Sequence, residues 1–208
     1  RYWRDWSSDV CSSDLQKSGS GANPLITAYT GATGTSIGNT GSVIPDGMIA
    51  LLGVDSVTFD GINLQENVAN TTTAAYMEYG YGLFRLSTTD GAQRNTIKNC
   101  AITLNNANNQ TTGTNVPEGS IGILSVAGSV FTPNTAIAAG GTTGANSYNK
   151  LYSNTINKCN YGIAFSGYAS AAGLNPTDAD ISNDVGGATS ATGNTITNFG
   201  LSTATLAA

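Results

Sequence analysis

The stretch Asn154-Thr155-Ile156-Asn157-Lys158-Cys159-Asn160-Tyr161-Gly162-Ile163-Ala164-Phe165-Ser166 decides the fold, because both of its halves recur along the chain. Its second half, a glycine followed by an aliphatic strand, is repeated at Gly47, Gly82, Gly122 and Gly200, with spacings of 35 to 40 residues between neighbouring copies. Self-similarity at a fixed period of about 20 to 50 residues is typical of repeat architectures. The chain is therefore predicted to consist of similar units of about 40 residues.

The first half of the stretch has three further copies: Val57-Thr58-Phe59-Asp60-Gly61-Ile62, Asn95-Thr96-Ile97-Lys98-Asn99-Cys100 and Asn194-Thr195-Ile196-Thr197-Asn198-Phe199. In each copy an apolar centre alternates with polar neighbours, which indicates a half-buried β-strand. Gly61, Asn99 and Asn198 follow two residues later, and these residue types tolerate the positive φ that a sharp corner requires. Lys158 stands at that place in the remaining copy, so the corner there is expected to shift to Asn157.

Alignment of the copies predicts two ladders of inward-facing side chains, because equivalent positions of neighbouring parallel strands stack about 4.8 Å apart. The first ladder is expected to contain Phe59, Ile97, Ile156 and Ile196. The second is expected to contain Ile62, Cys100 and Cys159. Both cysteines are predicted to be free, buried, small hydrophobic residues. A disulfide between them is the alternative, since a secreted setting would permit one.

Four longer segments connect the predicted strands. Each unit is predicted to have three short strands: first the strand after the repeated glycine, then the strand of the Asn-Thr-Ile pattern, and third a strand after the corner, such as Ile102-Thr103-Leu104. Segments 65–81 and 105–121 follow the third strand of a unit, whereas 127–147 and 167–193 follow the first. Each pair is therefore expected to emerge at its own corner. Insertions at different corners are typical of a solenoid, in which each unit contacts only its neighbours.

Composition narrows the class of protein further. The chain is 39% hydrophobic and only 10% charged, so a folded domain is favoured over disorder. With eight lysines and arginines and a net charge of −5, it lacks the basic footprint of a nucleic-acid-binding protein. No apolar run approaches the roughly 20 residues of a membrane-spanning helix.

The N-terminal residues differ from the rest. Residues 1–15 contain both tryptophans and resemble a peptide translated from sequencing-adapter DNA, so they are expected to belong to no strand ladder. Residues 16–43 are predicted to form a partial first turn or a lead-in, and residues 44–208 the repeat itself.

Units such as Asn95–Ile102 and Asn154–Ile163 resemble the turns of right-handed parallel β-helix proteins. The similarity is to the large, Asn- and Thr-rich secreted or surface proteins of bacteria, in a superfamily that includes pectate-lyase-like enzymes. It covers roughly residues 44–201 and implies an all-β, right-handed parallel β-helix of about four to five turns, truncated at one or both ends. It also implies an extracellular location and a place within a larger polypeptide.

For function, the resemblance implies a structural or binding segment that contacts polysaccharide. The alternative is a polysaccharide lyase or glycoside hydrolase whose catalytic turns lie partly or wholly outside this chain. The chain has no histidine, which removes Ser-His and Cys-His nucleophile arrangements from it. Its candidate carboxylates, Asp55, Asp60, Asp90 and Glu118, do not fall at equivalent repeat positions. No catalytic residue is therefore assigned.

Two groups of residues are candidates for ligand binding. Tyr76 and Tyr79 offer apolar rings with polar tips that suit sugars, and Arg85 lies on the strand that follows; the alternative for Tyr79 is packing at a corner. Asp178, Asp180 and Asp184 have the spacing of oxygen ligands that can hold calcium. They lack the glycine and the terminal glutamate of an EF-hand loop, so a solvated polar loop is the alternative.

Overall fold

The computed structural model describes residues 13–31, 44–106, 117–168 and 178–200. Within these residues the protein is all-β, as predicted. Its only helical segments there are three short 3-10 turns, Thr73–Ala75, Thr142–Gly144 and Ser190–Thr192. No helix in the described part of the chain has the length and apolar character needed to cross a membrane.

Three parallel sheets make up the fold. Sheet A contains β1 (Ser13–Gln16), β4 (Val57–Asp60), β7 (Thr96–Lys98), β12 (Lys150–Tyr152) and β15 (Asp184–Val185). Sheet B contains β2 (Leu25–Thr27), β5 (Asn63–Gln65), β8 (Ala101–Thr103), β13 (Thr155–Asn157) and β16 (Thr195–Thr197). Sheet C contains β3 (Gly47–Leu52), β6 (Tyr79–Phe84), β9 (Ile121–Val126) and β14 (Tyr161–Ser166). The chain visits A, B and C in the same order each time, and one such visit is called a pass below.

The main core lies where the apolar side chains of the three sheets meet. Leu64, Ile97, Ile102, Ile123 and Ile156 are all 0 or 1% exposed and belong to one cluster. Each such side chain stabilises the folded state by about 1.5–3 kcal/mol through burial. Ile97 and Ile156 are therefore buried, as the repeat analysis required, although the ladders they join differ from the predicted ones.

The first predicted ladder is confirmed for two of its pairs but is wrong as a single row. Phe59 pairs with Ile97 in sheet A, but the next member of that row is Leu151. Ile156 and Ile196 pair with each other in sheet B, beside Ile102. The sequence Asn-Thr-Ile precedes or begins strands in both sheets, so matching its copies joined positions that belong to different sheets.

The second predicted ladder is also wrong. Cys100 lies at the corner between β7 and β8, whereas Cys159 lies at the corner between β13 and β14. Both are free, 1% exposed and part of the same core cluster. Burial raises the pKa of the Cys159 thiol to about 12 and also raises the pKa of Cys100.

Corners with positive φ appear where the sequence indicated them. Gly61, Asn99 and Asn198 have φ of 70°, 55° and 50°. Lys158 itself adopts a φ of 54°, so the expected shift of that corner to Asn157 is wrong. Gly122 is required for a different reason, which is lack of space for a side chain. An added Cβ there would lie 2.4 Å from Ile156 Cγ2 and 2.6 Å from the Gly162 carbonyl oxygen.

Buried asparagines close the corner that leads into sheet A. The backbone N–H of Asn95 donates to Asn149 Oδ1 at 3.0 Å, and Asn149 Nδ2 donates to the Ala92 carbonyl oxygen at 2.9 Å. One pass later, the N–H of Asn149 donates to Asn183 Oδ1 at 2.9 Å. A second stack precedes sheet B, where the N–H of Cys100 donates to Asn154 Oδ1. Such bonds satisfy backbone groups that strand pairing leaves unpaired.

The connecting segments leave at two corners, as predicted. Strands β5 and β8 are neighbours in sheet B and precede segments 65–81 and 105–121. Strands β9 and β14 are neighbours in sheet C and precede segments 127–147 and 167–193. The third segment contains an antiparallel hairpin of β10 (Gly128–Ser129) and β11 (Thr132–Ala136).

The expectation that residues 1–15 join no ladder is wrong for its last three residues. β1 pairs in parallel with β4, with Leu15 beside Phe59. All four residues of β1 are exposed, so this pairing depends on backbone hydrogen bonds at the edge of sheet A. An open sheet edge accepts any extended segment, whatever its side chains. Trp3 and Trp6 lie outside the described residues.

Candidate functional site

Of the three residues predicted to contact a ligand, the structure buries two. Arg85 has no exposed surface and Tyr79 is 3% exposed. The ring of Tyr79 packs edge-on against Phe84, with ring centroids 5.3 Å apart, which is the packing role considered as the alternative. Tyr76 is half-buried, and its hydroxyl donates to the Thr71 carbonyl oxygen at 3.4 Å. In this arrangement neither Tyr79 nor Arg85 presents a surface to a sugar.

Arg85 instead joins three distant parts of the chain. Its Nη2 lies 2.6 Å from Asp180 Oδ1 and also donates to the Asp178 carbonyl oxygen at 2.9 Å. Its Nη1 donates to the Ile137 carbonyl oxygen at 2.6 Å, while Nε is buried and has no hydrogen-bond partner among the described residues. A buried guanidinium requires a counter-ion and acceptors, and these contacts supply them. The ion pair therefore fastens the segments after β9 and β14 to the end of β6.

The three predicted calcium ligands are not gathered around one point. Asp180 accepts from Arg85 and from the N–H of Asn146 at 2.8 Å, and Asp178 contributes its backbone carbonyl. Asp184 begins β15 and accepts from the Tyr152 hydroxyl at 2.6 Å, which raises the pKa of that tyrosine. Within the described residues, no group of three His, Cys, Asp or Glu side chains is placed to hold a metal ion.

A groove of about 460 Å³ lies between the end of β14 and the segment that leads into β15. Its apolar wall is formed by Phe165, Tyr168 and Val185. Phe165 and Val185 are 41% and 48% exposed. They continue inward-facing rows of sheets C and A at β14 and β15, which are the last strands of those sheets among the described residues.

The polar wall of the groove is formed by Asp180, Ser182 and Asn183. The Asn183 side chain is held by the N–H of Asn149 and by its own bond to the Asn146 carbonyl oxygen at 2.8 Å. Asp180 is held by Arg85. The polar wall is thus fixed by buried partners, and it contains one of the predicted calcium ligands, Asp180.

The sequence did not indicate this groove. Phe165 belongs to the strand that follows Gly162, as the repeat predicts, whereas Tyr168 and Val185 lie in segment 167–193 and have no predicted role. Phe165 lies opposite Ser125 in sheet C, and Val185 lies opposite Leu151 in sheet A. The alignment of Gly122 with Gly162 already placed Phe165 opposite Ser125, but it provided no strand at Val185, so it did not bring the two side chains to the same opening.

A pair of stacked carboxylates was also missed. Asp46 directly precedes β3 and Glu78 directly precedes β6, and the N–H of Asp46 donates to Glu78 Oε2 at 2.5 Å. Tyr29 donates its hydroxyl to Asp46 at 2.8 Å, and its pKa is raised by burial and then by Asp46. Aligning Gly47 with Gly82 hid this equivalence, because the structure pairs Gly47 with Tyr79. Asp46 and Glu78 are 4% and 2% exposed.

Comparison with known proteins provides no family for the chain. No protein-family model matches it, and no curated protein or solved structure is significantly similar to it.

Proposed function

We propose that this chain is a segment of right-handed parallel β-helix from a secreted or cell-surface bacterial protein, where it acts as a rigid structural element that contacts polysaccharide. The repeated order of sheets A, B and C supports this proposal, because a solenoid winds its chain in that way. The resemblance of the repeat units to pectate-lyase-like proteins supports the extracellular location and the placement within a larger polypeptide.

The groove between β14 and β15 is the observation that carries the binding part of the proposal. Its volume of about 460 Å³ falls within the range of small-ligand sites, roughly 300–1,000 Å³. Phe165 and Tyr168 supply flat apolar surfaces, and Ser182 supplies a hydroxyl on the facing wall. Sugar rings have an apolar face and a polar rim, so aromatic plates opposite hydrogen-bonding groups suit them.

The experiment that tests the proposal is a glycan array with the recombinant chain, followed by titration of the glycans that it binds. Phe165→Ala and Tyr168→Ala should each weaken binding by about tenfold, which corresponds to about 1.4 kcal/mol of lost ring contact. Phe131→Ala is the matched control, because Phe131 is 54% exposed and does not line the groove. A chain that binds no glycan on the array would refute the binding role.

The enzyme alternative would require carboxylates that reach a substrate. Glycoside hydrolysis uses two carboxyl groups on either side of the scissile bond. Asp46 and Glu78 occupy equivalent positions of adjacent passes, but both are buried. Their arrangement favours a structural role at the corner, and the proposal therefore assigns no catalysis to the described residues.

A further inference from the structure

We infer that the edge of β4 that faces away from β7 is a strand-acceptor site, which takes an extended peptide in parallel with an apolar side chain opposite Phe59. Within the chain β1 occupies this site, with Leu15 opposite Phe59. The occupant in trans is a peptide of the same character, with one apolar residue between polar ones. This binding site goes beyond the proposed polysaccharide contact and does not depend on it.

The backbone of β1 makes the contacts that hold it at this edge. The N–H of Ser13 donates to the Ser56 carbonyl oxygen and the N–H of Lys17 donates to the Asp60 carbonyl oxygen, both at 3.3 Å. Alternate residues of a parallel strand direct their N–H groups to the same neighbour, so the Leu15 N–H also points to β4. All four side chains of β1 are exposed, Leu15 by 47%. Another extended strand can therefore replace β1 without any loss of buried side-chain contacts specific to it.

The acceptor strand is fixed independently of β1. On its other side β4 pairs with β7, and the N–H of Gly61 donates to the Lys98 carbonyl oxygen at 2.9 Å. Phe59 is 5% exposed and packs edge-on against Tyr81, with ring centroids 5.2 Å apart. These contacts keep the edge in place when β1 leaves, so an incoming peptide meets a preformed site and does not have to order it.

The tether behind β1 allows it to leave. Residues 18–22 are exposed, and an added Cβ at Gly19 or Gly21 would meet no atom within 4 Å. The chain is next fixed at Pro24, whose carbonyl oxygen accepts from the N–H of Asn63 at 2.8 Å. Glycine- and serine-rich linkers are flexible, so β1 can detach while β2 stays in sheet B. A short linker of this kind holds β1 at an effective concentration in the millimolar range, so a peptide in trans binds well only once β1 is displaced.

Backbone pairing is blind to side chains, and selectivity comes from the position opposite Phe59. Phe59 and Ile97 belong to one inward row of sheet A, which Leu15 extends. Neighbouring strands lie about 4.8 Å apart, so an apolar side chain at this position covers Phe59 and gains from burial. The positions on either side of it lie next to Thr58 and Asp60, which are half-buried on the outer face and accommodate polar side chains.

The test uses the full chain with Leu15→Pro, which removes the central N–H of β1 and vacates the edge. An N-acetylated peptide of residues 13–19 is titrated into the isotope-labelled chain, and the amide NMR shifts should be largest at Val57–Asp60. Methylation of the peptide nitrogen at Leu15 should weaken binding by about tenfold or more, because that N–H faces β4. Methylation at Gln16, whose N–H points away from β4, is the matched control and should change affinity by less than about twofold. Leu15→Ser in the peptide should also weaken binding by about tenfold.

Hydrogen exchange of the unmodified chain provides a second, independent measurement. The Leu15 amide should exchange at least about a hundredfold faster than the Ile97 amide, because β1 opens without global unfolding. Equal exchange at the two amides, or loss of the folded state in Leu15→Pro, would overturn the inference, since a displaceable strand is not needed for folding. A folded Leu15→Pro chain that does not bind the peptide, or equal effects of methylation at Leu15 and Gln16, would overturn it as well. Dimers of the unmodified chain that the peptide disperses would overturn the assignment to a separate peptide, because the occupant would then be β1 of a second copy.

Discussion

The asparagine stack at the corner before sheet A makes a sharp prediction about stability, and Asn149 is its central member. Asn149→Ala removes the acceptor of the Asn95 N–H and the donor to the Ala92 carbonyl oxygen. Asn95 and Ala92 are 1% and 0% exposed, so water cannot replace either bond. Each stranded buried group costs about 1–3 kcal/mol, which gives about 2–6 kcal/mol for the pair.

That loss is a large part of the roughly 5–15 kcal/mol that stabilises a folded domain. In urea denaturation followed by circular dichroism, the midpoint should fall by roughly 1–3 M. Asn157→Ala is the control, because the Asn157 side chain accepts from the Asn198 amide and the Thr197 hydroxyl, and both of these residues are exposed. Water can hydrate the groups that Asn157 releases, so its loss should be about 0.5 kcal/mol or less. Equal effects of the two substitutions would show that the stack does not carry stability in the manner described.

Two further predictions address the register of the sheets and the chemistry of the thiols. Ile156→Ala should lower the free energy of unfolding by about 2–5 kcal/mol, because Ile156 is fully buried. Ile196 lies one strand away in sheet B and is 38% exposed, so Ile196→Ala should lower it by less than half as much. Similar losses would contradict the observed register. Cys100 and Cys159 should resist a thiol reagent at pH 8 until the chain is unfolded, because burial raises both pKa values. The folded pKa of Cys159, about 12, lies above its ordinary value of 9.0. The stabilisation of the folded state by the neutral thiol is therefore complete below pH 9 and is lost between pH 9 and 12. Rapid labelling of the native chain at pH 8 would refute the burial of the two thiols.

The repeat was predictable from sequence to the level of strands and corners, but not to the level of register. Gly61 and Asn99 could be recognised because a positive φ restricts the residue type. The row of side chains that contains Ile97 could not be predicted, because its next member is Leu151, which lies in a segment without the Asn-Thr-Ile pattern. The same pattern at Ile156 belongs to sheet B, where an asparagine is also needed before the strand.

The candidate site was less predictable than the fold because it depends on contacts over long separations. Asp180 lies 95 residues from Arg85, and nothing in the local sequence of either residue indicates the other. A lone basic residue on a strand is equally consistent with a ligand contact and with an internal ion pair. The burial of Tyr79 could not be predicted for a similar reason, since it depends on Phe84 and on the strands that flank β6.

The asparagine stacks also impose a direction on how the molecule is assembled. The backbone N–H groups of Asn95 and Cys100 find their acceptors 54 residues later in the chain, and those of Asn149 and Asn154 find theirs 34 and 40 residues later. A ribosome that adds about 5–20 residues per second delivers the 54-residue partner only after roughly 3–11 s. During synthesis each corner must therefore wait, open to solvent, until the succeeding asparagine arrives, and the corners close one after another from the N-terminus. Dilution of the complete chain from denaturant presents every asparagine at once, so each corner amide can then capture an asparagine from the wrong pass.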